Sequence, residues 1–280
     1  MILSVASGKG GTGKTTIAVN LALSLGREQP IQFLDCDVEE PNAHFFLKPH
    51  LVSNRPVSIP VPEIIEEKCT YCGKCAEVCA YHAIAVLKET VLVFPELCHG
   101  CGGCGLLCPK KAIKEKGQRI GIMEFGSSTG IEFIHGKLDI GQAMSPPLVR
   151  EIKKNIDLTR LVIIDAPPGT SCPMVEAVKG SDFALLVTEP TPFGLNDLEL
   201  SVETLREMNI PVGVVINRAG VGDSGVEAYC RKENIPLLLT LPFDREIAVA
   251  YSEGIPLVEA KPAYREKFLE LYTKVQEWKK

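Results

Sequence analysis

The sequence predicts an α/β protein: a mostly parallel sheet with helices on both faces, carrying a small inserted α+β domain. Three observations lead there. Short apolar runs recur at 2–6, 31–34, 161–164, 183–187, 212–216 and 237–239, and a strand apolar at successive positions is buried on both faces. Helical periodicity fills the gaps, at 15–27, 195–208 and 224–233, the alternation that builds a parallel sheet. A cysteine-dense stretch at 61–116 interrupts this pattern.

The 280 residues are enough for about two domains. The expected division is a discontinuous domain over 1–60 and 117–280 and an inserted one over 61–116. With 30 Lys and Arg against 35 Asp and Glu, the net charge is −5, which argues against a general nucleic-acid binder. No apolar run approaches the roughly 18 residues of a membrane span, so no stable membrane insertion is expected. The first residues enter a strand without a basic leader, so no signal peptide is expected and the protein is read as cytoplasmic.

The first apolar run leads into Gly8-Lys9-Gly10-Gly11-Thr12-Gly13-Lys14-Thr15-Thr16. The spacing G-x-x-x-x-G-K-[ST] between a strand and a helix is that of a phosphate-binding loop. Its glycines let the backbone wrap close to phosphates, and its amides and the helix N-terminus face the anion. Lys14 is expected at the β- and γ-phosphates of ATP, and the Thr15 hydroxyl at Mg²⁺.

The second run ends in Asp35-Cys36-Asp37. The insertion follows, opened by Pro56, Pro60 and Pro62 and closed by Lys114-Glu115-Lys116-Gly117, both read as punctuation. It holds eight of the 11 cysteines. Cys69, Cys72, Cys75 and Cys79 recur 29 residues on as Cys98, Cys101, Cys104 and Cys108, and Ala83-Ile84 recurs as Ala112-Ile113, so a structural unit is duplicated. The spacing C-x₂-C-x₂-C-x₃-C is that of an iron–sulfur run whose fourth cysteine serves the other cluster. Two [4Fe-4S] clusters are therefore expected, one on Cys69, Cys72, Cys75 and Cys108, the other on Cys98, Cys101, Cys104 and Cys79. Zinc is the competing metal, since paired cysteines also hold structural zinc. His82 and His99 adjoin the runs, either tuning a cluster or simply facing solvent.

Beyond the insertion, 119–124 and 132–138 form a further candidate strand pair. The run at 161–164 ends in Asp165-Ala166-Pro167-Pro168-Gly169, and Cys172 follows closely. The last segment, 264–278, places Phe268, Leu271, Tyr272, Val275 and Trp278 on one helical stripe, read as a helix docked on the domain rather than a membrane anchor. Cys36 and Cys230 are read as packed apolar residues.

With its early lysine, K-G-G-x-G-K-T-T resembles the deviant Walker A loop of the MinD/ParA/Mrp-type P-loop NTPases, the group related to the nitrogenase iron protein. The resemblance implies that Lys9 reaches a partner subunit's nucleotide in an ATP-dependent homodimer. It implies that Asp37 orients or deprotonates the attacking water, that Asp165 holds Mg²⁺ through water, and that the Gly169 amide reads the γ-phosphate. Asn217 would bond adenine, with Arg218, Pro242, Phe243 and Asp244 nearby. By the same analogy two copies of Cys172 could meet across a dimer; a packed loop residue is the alternative. The insertion resembles a two-cluster bacterial ferredoxin, with Ala80 where that family usually has proline. Together the resemblances imply an ATPase whose hydrolysis controls electron delivery to, or cofactor maturation of, a partner protein. The alternative is a redox-sensing positioning or regulatory ATPase.

Overall fold

The structure, a computed structural model, describes residues 1–278. In chain order its strands are β1 (Ile2–Ala6), β2 (Ile31–Asp35), β3 (His50–Ile64), β4 (Ile84–Leu87), β5 (Thr90–Val93), β6 (Ile113–Ser128), β7 (Ile131–Leu138), β8 (Leu161–Asp165), β9 (Phe183–Thr188), β10 (Val212–Ala219) and β11 (Leu237–Pro242). Its helices are α1 (Lys14–Leu25), α2 (Ala43–Leu47), α3 (Lys74–Glu77), α4 (Gly103–Leu106), α5 (Pro146–Lys153), α6 (Cys172–Val178), α7 (Pro192–Glu207), α8 (Gly225–Lys232), α9 (Arg245–Ser252), α10 (Leu257–Ala260) and α11 (Tyr264–Trp278).

Nine strands form one sheet in the order β11-β10-β9-β1-β8-β2-β7-β6-β3, and β4 and β5 form a second. The pairings from β11 through β7 are parallel. Strands β2, β8 and β9 are buried at every position, as strands covered on both faces must be. The expected pair at 119–124 and 132–138 is present as the neighbours β6 and β7, joined by Thr129 and Gly130, both left-handed, the backbone of a two-residue hairpin.

By internal contacts the chain forms two compact units. One comprises Met1–Asn54, Met123–Lys137 and the chain from Val149 onward; the other comprises Arg55–Ile122 and Leu138–Leu148. The prolines read as linker punctuation lie elsewhere than expected: Pro56, Pro60 and Pro62 sit inside β3, and 114–117 inside β6. Because β3 ends the sheet order, its prolines can lack an N–H without breaking an interior ladder.

The core of the first unit is built from α1, the parallel strands and α11. Phe268, Leu271, Tyr272 and Val275 are buried in it, so the C-terminal stripe is a packing face. Trp278, at the end of that stripe, is half exposed. Among the described residues no helix is long and apolar enough to cross a membrane.

Candidate functional site

In the first unit the loop after β1 turns into α1 at Gly13, which is left-handed. A side chain there would meet the Asn217 amide nitrogen at 2.3 Å, and one at Gly8 would meet the Asp197 carbonyl oxygen at 2.3 Å. Glycine is thus required at both by close approach, and at Gly13 by backbone conformation as well. The Asn217 side chain donates to the Thr12 carbonyl at 2.8 Å, tying β10 to the loop. Lys14 and Thr15 are buried at the start of α1.

Parallel register sets β2 beside β8 with Asp35 opposite Asp165, at the strand ends where ligands bind in open α/β sheets. Asp35 accepts from the Asp37 and Ala43 amides, each at 3.1 Å. It therefore pins the loop that presents Asp37. Asp165 is 0% exposed, and neither of its oxygens has a hydrogen-bond partner of normal geometry among the described residues. Burial raises its pKa and Asp37 adds to that, while the Lys14 ammonium and the nearby Thr15 hydroxyl pull the other way. Burial, then Asp165, likewise raises Asp35. Burial raises the half-buried Asp37 to about 6, opposed by Lys14. A buried carboxylate with no full hydrogen-bond partner of its own, beside a buried threonine hydroxyl, fits a hard divalent cation that also binds substrate phosphates.

A cavity of about 150 Å³ adjoins the loop, lined by Gly13, Thr16, Asn217, Arg218, Pro242 and Phe243 among others. Four of its walls, Phe46, Tyr251, Ile255 and Leu257, carried no sequence signal, because they come from remote segments without a motif. Asp244 caps α9 and is ion-paired with Lys261, a structural role. Lys9 pairs with Glu189 at 3.2 Å, and Arg218 pairs with the same carboxylate. The Gly169 amide donates to the Ser7 carbonyl at 2.9 Å, so it is engaged within the chain rather than free for a phosphate. Cys172 is exposed at the start of α6, whereas Cys36 and Cys230 are buried.

The second unit brings the cysteine runs together crosswise. One cavity is lined by Cys69, Cys72, Cys75 and Cys108, the other by Cys98, Cys101, Cys104 and Cys79. The 29-residue repeat is visible in the backbone. The Tyr71 and Gly100 amides donate to the Cys69 and Cys98 sulfurs, both at 3.4 Å. The Ala83 and Ala112 amides donate to Cys79 and Cys108 at 3.3 and 3.2 Å. Gly73 and Gly102 are both left-handed and open α3 and α4. Amide donors aimed at sulfur favour the thiolate that a metal requires. Burial raises the Cys75, Cys98 and Cys104 thiols, so metal binding must displace protons. Among the described residues, no group of three or more His, Cys, Asp or Glu is arranged to hold a single metal ion. His82 is exposed, while His99 stacks on Tyr81 with ring centroids 3.3 Å apart.

An uncharacterised protein of Methanocaldococcus jannaschii is 34% identical over 99% of this chain and 97% of its own length. The iron-sulfur cluster carrier protein of Pyrococcus horikoshii is 26% identical over 98% of the chain and 84% of its own. The septum site-determining protein MinD of Pyrococcus horikoshii, solved with Mg-ADP, superposes with a TM-score of 0.63 at 22% identity, covering 98% of this chain and 95% of that one. The CobQ/CobB/MinD/ParA nucleotide binding domain matches residues 3–257. That span includes the phosphate loop, the aspartates at the ends of β2 and β8, and both cysteine runs. By this match and by the parallel sheet beneath it, the chain belongs to the CobQ/CobB/MinD/ParA nucleotide-binding family.

Proposed function

We propose that this protein is an ATP-binding and ATP-hydrolysing switch coupled to two [4Fe-4S] clusters. It acts in ATP-gated electron transfer to, or iron–sulfur cofactor maturation of, a partner protein. The observation that carries the reading is the crossed lining of the two cysteine cavities, in one chain with the phosphate loop. Two C-x₂-C-x₂-C-x₃-C runs lining two cavities crosswise fit a multi-iron group rather than zinc, which needs only two cysteine pairs and gains nothing from the extra cysteines. When bound, such clusters supply one-electron chemistry.

At the nucleotide, Lys14 and the loop amides bind phosphate, and Thr15 and Asp165 hold Mg²⁺. Asp37 accepts a proton from the attacking water, and its raised pKa brings it nearer to working pH. The base enters the cavity beside Asn217, whose amide keeps one N–H beyond the bond to Thr12. Lys9 leaves Glu189 and reaches the second nucleotide of an ATP-dependent homodimer, where it offsets charge on the transferred phosphoryl group. Outside the insertion, among the described residues, the one exposed cysteine is Cys172, too few thiols to carry a cluster within one chain. This supports resident clusters and electron transfer; the relatives named as cluster carriers support the maturation branch.

Oxygen-free isolation followed by iron and sulfide analysis and ATPase assay in oxidised and reduced states tests the proposal. It expects both iron and sulfide, and hydrolysis that changes with cluster redox state. Colourless protein holding zinc would overturn the cluster reading, and hydrolysis indifferent to redox state would overturn the coupling. Lys9→Ala should impair hydrolysis more than nucleotide binding; equal loss of both would contradict its assigned role.

A further inference from the structure

The two cysteine cavities share a backbone but not a charge. At the 29-residue offset, four lining positions differ in chemistry. The first cavity, around Cys69, Cys72, Cys75 and Cys108, is lined by Thr70, Lys74, Val86 and Lys110. The matching positions of the second cavity are His99, Gly103, Glu115 and Tyr81. Two lysines thus line one cysteine cavity, and a glutamate and a stacked Tyr81–His99 pair line the other. The Glu115 carboxylate is held over the second loop, with one oxygen 2.9 Å from where a side chain at Gly102 would begin.

We infer that the two cluster sites are redox-inequivalent, the Cys69 set having the higher reduction potential and the Cys98 set the lower. The inference rests on the cluster reading above. Adding an electron to a thiolate-ligated cluster adds negative charge, which nearby ammonium groups stabilise and a nearby carboxylate opposes. An electron delivered to the second site by a one-electron donor protein then runs downhill to the first. No bond forms or breaks in that step. Lys74, Lys110 and Glu115 are exposed, so solvent and salt screen their effect. The gap between the sites is therefore modest and narrows as ionic strength rises.

The test is a redox titration of the full-length, cluster-loaded chain with dithionite, followed by electron paramagnetic resonance, with iron and sulfide measured on the same sample. Two midpoints are expected. Where the higher site is half reduced, the reduced-to-oxidised ratio at the lower should be at least tenfold smaller, about 59 mV for a one-electron couple. Glu115→Val should raise the lower midpoint and leave the higher in place. Lys74→Gly with Lys110→Tyr should lower the higher one and leave the lower in place. All three side chains are exposed, so the fold should survive, and unchanged iron content verifies it. Two clusters at one common midpoint would overturn the inference, as would variants that move neither midpoint or the wrong one. A chain without iron and sulfide would overturn the cluster reading and this inference with it.

Discussion

The two units are held together by different means. In the first, Phe33, Phe133, Phe183 and Phe268 are fully buried in a continuous apolar core. In the second, the stretch 65–111 buries Ala83 and Ile84, while the unit's other buried apolar side chains, Val57, Ile59, Val61, Ala112, Ile120 and Leu148, stand on β3, β6 and α5 or directly before β6. A segment of that size with so little apolar burial is below what a core alone can stabilise, and bound metal then becomes folding free energy. The contrast teaches that the phosphate loop is preformed by packing, whereas the cysteine stretch has little apolar packing of its own to hold it.

On the proposed reading of the cysteine runs, the strongest way to break this comparison is to strip their metal. Chelation, or Cys69→Ala with Cys98→Ala, should expose residues 65–111 to proteolysis and hydrogen exchange while ATP binding survives. Undiminished protection of that segment would show that apolar packing suffices there. Next in size, Phe133→Ala should cost about 3–5 kcal/mol by denaturant unfolding. Phe133 is 0% exposed and stacks on Phe33, and the change should leave iron content unaltered. Leu106→Ala in the second unit, 87% exposed, should cost about 0.5 kcal/mol or less.

A further change separates the two chemistries. Lys14→Ala should lower ATP hydrolysis by about a hundredfold or more, about 2.7 kcal/mol, with iron and sulfide retained. Joint loss of both would mean that the sites are not independently formed. A pH dependence confined to the first unit comes next. His135 is buried, its Nε2 lies 2.9 Å from Glu124, and its Nδ1 has no partner among the described residues. Burial holds its pKa down to about 4, opposed by Glu124 and helped by Lys137. The folded chain therefore binds fewer protons than the unfolded chain between about pH 6.5 and pH 4. Stability should fall across that window on acidification, by about 3 kcal/mol, in denaturant titrations at successive pH values. His135→Gln should flatten the fall.

Most of the fold was legible from residues in sequence. The parallel strands stand within a few residues of their apolar runs, because strands covered on both faces cannot be polar at alternate positions. The phosphate loop and the cysteine runs were legible because each is one short segment whose function fixes its residue types. Less legible was the boundary of the insertion. Pro56, Pro60 and Pro62 read as punctuation, yet an edge strand tolerates them, and edge position is a property of the sheet and not of the strand.

Sequence alone determined the local chemistry: the glycine spacing of the phosphate loop, the basic and hydroxyl groups at Lys14 and Thr15, and two cysteine runs 29 residues apart. Such features need neighbours only a few positions away. The tertiary structure alone decided what crosses the chain. It set Asp35 to brace the Asp37 loop, gave Glu189 to Lys9 and the Ser7 carbonyl to the Gly169 amide, and walled the cavity with Tyr251 and Leu257. It also set two lysines against one cysteine cavity and a glutamate against its twin. Those pairings depend on which strands lie side by side, and register between distant segments is fixed by packing the whole sheet.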